Sequence, residues 1–100
     1  MSAEVRRELR RRLAVLRLLN RNELLAMPPV STEEVRSLDG AALFTTYIER
    51  HPGDRLLILV RSDQQGILGL ITYGSTEGFW VQEDGVILEA SEKDIRDFGS

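Results

Sequence analysis

Apolar residues recur every three or four positions in the first part of the chain and gather into short unbroken runs after residue 53. Residues 3–19 contain neither Gly nor Pro and are rich in Leu, Arg, Glu and Ala, which favour helix. At 100° per residue, Val5, Leu9, Leu13, Leu16 and Leu19 fall within an arc of about 120°. The spacing predicts an amphipathic helix over 3–19, with Ser2 as a cap. Asn20-Arg21-Asn22 breaks it; Asn22 then caps a second short helix over 22–27, or the first helix bends and continues, and Pro28-Pro29 ends either version. Ser31 and Glu34 match a capping box, which predicts a third helix over 32–50, weakened at Asp39-Gly40. Its apolar surface comprises Ala41, Ala42, Leu43, Phe44, Tyr47 and Ile48, and His51-Pro52-Gly53 stops it.

The later runs predict strands at about 55–61, 67–73, 79–83 and 86–90, with polar turns at 62–66 and 74–78 and a tight hairpin at Asp84-Gly85. Connections this short join antiparallel neighbours, so the expected sheet is a four-stranded meander. Ser91, with Asp94 three residues on, caps a short last helix that turns Ile95 and Phe98 toward the body. The expected class is α+β: N-terminal helices, then an antiparallel sheet and a C-terminal helix. Leu56, Ile58 and Val60 point one way and Leu57 and Leu59 the other, so both sheet faces need covering.

At 100 residues, 1–100 reads as a single domain. The absence of Cys excludes disulfides, thiolate catalysis and Cys-ligated metal. No apolar stretch is long enough for a membrane span, and the N-terminal residues lack the apolar core of a secretory signal, so the expected location is cytoplasmic. The net charge of −3 hides an asymmetry. Residues 1–21 hold seven arginines against two glutamates, +5, whereas 22–100 hold six basic and fourteen acidic groups, −8. A basic amphipathic helix is joined to an acidic body.

Arg6, Arg10, Arg17 and Arg21 share an arc of about 60° on the first helix and are candidates for binding an anion or an acidic partner. Helical spacing also lets Glu4 pair with Arg7, and Glu8 with Arg11 and Arg12, which would neutralise part of this charge internally. Val15 and Leu18 lie outside the main apolar stripe and broaden it, which predicts burial on more than one side. Phe79 and Trp80 are adjacent on a strand and so face opposite sides of the sheet. Val15, Leu18, Tyr73 and Trp80 are therefore the candidate apolar partner-binding residues.

Catalytic chemistry has little to draw on. His51 is the only histidine and reads as a helix cap, no serine sits in a nucleophile elbow, and no spacing suits a phosphate loop or calcium loop. Three helices over 9–50 would permit a helix-turn-helix, but Glu33 and Glu34 would then face phosphates. The pattern points to a non-enzymatic protein-interaction module, such as a small regulator, inhibitor or assembly subunit. It would act through apolar helix or sheet surface on another protein or on itself as a homodimer. No catalytic residue, metal, cofactor or small-molecule substrate is indicated. The alternative is a nucleic-acid-binding protein that uses the arginine stripe.

Overall fold

The computed structural model describes residues 3–37, 40–65 and 72–98. Helix α1 (Ala3–Leu18) forms where the apolar spacing predicts it, with Val5, Leu9, Leu13 and Leu16 buried. Ser2, its expected cap, lies outside the described residues. Helix α2 (Arg21–Ala26) starts one residue early because Asn20, not Asn22, caps it. The Asn20 side chain accepts from the Glu23 amide at 2.8 Å, and the Glu23 carboxylate accepts from the Asn20 amide at 2.9 Å.

The remaining elements are β1 (Val30–Ser37), β2 (Gly40–His51), β3 (Arg55–Gln65), β4 (Thr72–Val81), β5 (Ile87–Glu89) and α3 (Glu92–Asp97). The strands form one antiparallel sheet in the order β1-β2-β3-β4-β5, so every neighbour in space is a neighbour in sequence. The α+β class stands, with five strands rather than four.

The largest correction concerns 32–50, which is a β-hairpin and not a helix. Ser37 pairs with Gly40, and the register runs from there to Val30 opposite Tyr47. Gly40 has φ +107° and opens β2, so it begins a strand instead of weakening a helix; Asp39 lies outside the described residues. Phe44, Thr45, Thr46, Tyr47 and Ile48 form an aromatic and β-branched run, and in β2 buried Ala42, Phe44, Thr46 and Ile48 alternate with more exposed neighbours. That is a period of two, and the apparent capping box at Ser31 and Glu34 is overridden by strand pairing. With the third helix gone, the helix-turn-helix reading falls.

The strand boundaries also differ. Gln65 still belongs to β3, and 74–78, expected as a turn, pair with Asp63 through Leu59 in the middle of β4. Of the expected strand 67–73, residues 67–71 lie outside the described residues. The final hairpin is as expected, with the Val86 amide donating to Asp84 Oδ1 at 3.0 Å. Ser91 and Asp94 form the expected reciprocal cap of α3.

α1 and α2 cover one face of the sheet. Val5, Leu9, Leu13, Leu16 and Leu24 pack there with Phe44, Ile48, Leu56, Ile58, Val60, Phe79 and Val81. The opposite face carries a smaller cluster of Leu57, Leu59 and Trp80, with Tyr47, Ile95 and Phe98 packed against it. α3 therefore covers part of the far face with its apolar side.

Gly78 sits where this second cluster is tightest. A Cβ there would overlap the Ile58 carbonyl oxygen and the Leu59 side chain. Backbone cannot yield as a flexible side chain can. Gly78→Ala is expected to lower stability by about 1–3 kcal/mol, read as a lower urea midpoint at unchanged slope. An unchanged midpoint would show that the site has room for a methyl group.

Candidate interaction surface

Helix α1 has a covered side and an open side. Opposite its buried stripe, Leu18 is 85% exposed and Val15 48% exposed. The expectation that these residues are buried on a second side is not met within the chain: the sheet takes the Leu9 side alone. Burial of a leucine side chain is worth about 1.5–3 kcal/mol, and the fold leaves that of Leu18 unused. Arg7, Arg10, Arg11 and Ala14 stand exposed around these two residues.

The seven arginines of this segment divide by partner. Arg11 reaches the Glu8 carboxylate through two hydrogen bonds, at 2.9 and 2.6 Å. Arg12 donates to Glu8 at 2.9 Å and to Glu33 at 3.2 Å, and its guanidinium lies 4.7 Å from the centre of the Phe44 ring. These contacts hold both carboxyls below their usual pKa, Glu8 mainly through the Arg11 hydrogen bond and Glu33 through that of Arg12. Arg17 pairs with Glu89 at 2.6 Å and lies 5.3 Å from the Phe79 ring centre, tying the end of α1 to β5. Arg21 is half-buried, with its Nη1 shielded and unpartnered.

The expected rail of Arg6, Arg10, Arg17 and Arg21 is thus not four equivalent free cations. Arg17 is used inside the fold and Arg21 is drawn toward it. Arg6 and Arg10 remain exposed, with no ion pair among the described residues, and Arg7 joins them. The expected pairing of Glu8 with Arg11 and Arg12 forms; a Glu4–Arg7 pair does not.

On the far face Trp80 is only 8% exposed. Its indole N–H donates to Asp94 Oδ2 at 3.0 Å, the Arg55 guanidinium lies 4.1 Å from its ring centre, and the His51 ring meets it edge-on at 4.8 Å. Phe79 points to the helix-covered core, so the two aromatics do take opposite faces. Trp80 is an anchor for α3, not an open contact surface. The Tyr73 backbone pairs with Gln64, and its side chain lies outside the described residues. His51 ends a strand, not a helix. Glu49 Oε1 lies 2.5 Å from His51 Nε2, out of line for a hydrogen bond.

Val15 and Leu18 thus share one surface, whereas Trp80 belongs to another. Beside Trp80 lies an open cleft of ≈ 640 Å³ whose walls include Arg55, Gln82, Val86 and Leu88. The sequence reading missed these residues because they come from separate hairpins. Only the strand register reveals that Arg55 and Gln82 are neighbours.

No helix among the described residues is long and apolar enough to cross a membrane. No protein-family model matches the chain, and no curated protein or solved structure resembles it significantly.

Asp94 links α3 to the sheet as an anion. The Trp80 N–H, followed by the Ser91 amide and hydroxyl, holds its carboxyl below the usual aspartate pKa. This contribution to stability is present above the unfolded value of about 3.9 and is lost as pH falls through the lower folded value. The Asp94 step is expected as a change in Trp80 emission below about pH 4. Asp94→Asn should remove that step and loosen α3 at neutral pH. An identical acid profile in the variant would place the transition elsewhere.

Proposed function

We propose that the chain is a non-enzymatic protein-interaction module and that its first partner is a second copy of itself, docked through the open side of α1. The observation that carries this reading is the exposed pair Val15 and Leu18, set among Arg7, Arg10 and Arg11 on a helix whose other side is already filled. The Arg17–Glu89 pair brings β5 to the end of this helix, so exposed Ile87 stands on the same side of the molecule as Leu18. A two-fold arrangement would set Leu18 of each copy against Ile87 of the other. The basic helix, +5, would then face the acidic body, −8, of its partner.

Nucleic acid is the second reading, supported by the unpaired Arg6, Arg7 and Arg10. The strongly acidic body opposes it, and Arg11, Arg12 and Arg17 already have carboxylate partners.

Molar mass in solution tests the proposal, measured by light scattering after size exclusion at about 0.15 M salt, where exposed charges are largely screened. Twice the 11.3 kDa of one chain is expected. Leu18→Glu and Ile87→Glu should each return the single-chain mass, with circular dichroism showing that the variants keep the fold. A single-chain mass for the unaltered protein at every concentration overturns self-pairing. Salt-dependent binding of duplex DNA, lost when Arg6, Arg7 and Arg10 become Glu, would move the assignment to the second reading.

A further inference from the structure

Two side-chain nitrogens on the far face of the sheet are shielded from water and have no hydrogen-bond partner, Arg55 Nε and Gln82 Nε2, and His51 Nε2 lies near them. The register sets them in one row. His51 pairs with Arg55, and Gln82 follows Val81, the partner of Leu56, so it stands beside Arg55 on the next strand. His51 has the Glu49 carboxylate next to it. Neither the Arg55 nor the Gln82 nitrogen is partnered, and the Arg55 charge acts on the Asp94 carboxylate only through space. A guanidinium offers five N–H donors and no acceptor. A sheltered donor left unmade costs about 1–3 kcal/mol, and more when charged.

Arg55 and Gln82 line the open cleft of ≈ 640 Å³ at the end of the sheet. Val86 and Leu88 give it an aliphatic wall, and Glu83 and Asp84 give it a negative flank. Stacking on Trp80 holds the guanidinium in place, and Trp80 is itself fixed by Asp94 and His51. Little ordering remains for a ligand to impose.

We propose that this cleft binds a carboxylate carried on an aliphatic chain. One cation beside one neutral amide suits a planar, singly charged group with two acceptor oxygens. Glu83 and Asp84 repel a phosphate dianion about twice as strongly as a carboxylate. The aliphatic wall receives the chain behind the acid. A free short-chain acid has this chemistry, and so does the C-terminus of a peptide ending in an aliphatic residue. The cleft lies on the face opposite α1, so the proposal does not depend on self-pairing.

Trp80 is the only tryptophan in the chain and lies against Arg55, which makes its emission a direct readout. The protein is titrated with isovalerate, with a tripeptide ending in valine with a free carboxylate, with the same peptide amidated, and with inorganic phosphate. Isovalerate and the free peptide are expected to give a saturable change, with the small acid binding in the millimolar range; the amidated peptide should give none. Tighter binding of the peptide than of the acid assigns the ligand to a peptide terminus, and the reverse assigns it to a free acid. Arg55→Gln should weaken binding by about tenfold or more, and Gln82→Leu should weaken it less, with circular dichroism confirming that both variants fold. The proposal is overturned if neither carboxylate moves Trp80 emission or any backbone amide resonance. It is also overturned if Arg55→Gln binds as well as the unaltered protein, or if phosphate binds as tightly as isovalerate.

Discussion

Five consecutive side chains, Leu56 through Val60, are shut off from water, and a strand can achieve this only with cover on both faces. The rest of the architecture follows from that requirement. α1 and α2 cover the side of Leu56, Ile58 and Val60. On the other side α3 reaches over Leu57 and Leu59, held by the Trp80–Asp94 hydrogen bond and by Phe98 packed edge-on to Tyr47 at 4.9 Å. The next strand must also approach closely enough to leave no gap, which is why Gly78 has no space for a side chain. A six-residue helix is a small cover for one face of a five-stranded sheet, and the far face beyond it keeps an open cleft.

The arginines of α1 serve two purposes that composition alone cannot separate. Arg12 and Arg17 lie against Phe44 and Phe79 and reach Glu33 and Glu89, so their stems and guanidinium planes form part of the helix–sheet contact. Exposed ion pairs of this kind add only about 0–1 kcal/mol each. Their larger effect is directional: they fix which strands α1 crosses, from β1 and β2 to β4 and β5. Arg6, Arg7 and Arg10 lie on the part of the helix that no acidic strand residue reaches, and their charge remains available.

Much of this fold was legible from spacing. α1 follows from five residues on one arc, α3 from the Ser91 and Asp94 cap, and the two-sided strand from an unbroken run of apolar residues. The hairpin of β1 and β2 was not legible, because the apolar positions of 41–48 fit a broad helical face as well as an alternating strand. One local signal, the Ser31–Glu34 pattern, favoured helix; pairing of β2 along β3 outweighed it. Gly74 and Gly78 suggested a turn, whereas Gly78 is needed for close packing inside β4. Of the candidate site residues, Val15 and Leu18 could be read because a helix wheel shows what lies off the core stripe. Arg55 and Gln82 could not, since neighbours across strands depend on a register that the chain pattern leaves open.

The serial strand order has a consequence for the order in which the molecule assembles. Each strand of the meander pairs with the one made just before it, so the sheet can grow hairpin by hairpin with short loop closures. α1 is the exception. Leu16 belongs to the same core as Leu56, about forty residues later in the chain. At synthesis rates of 5–20 residues per second, that gap lasts about 2–8 s. During that interval α1 lacks the central strand it packs on, and much of its leucine stripe and its arginines face solvent. Like charges on neighbouring helices repel, so the charge that later orients the helix on the sheet also opposes association of the bare leucine stripe before the sheet exists.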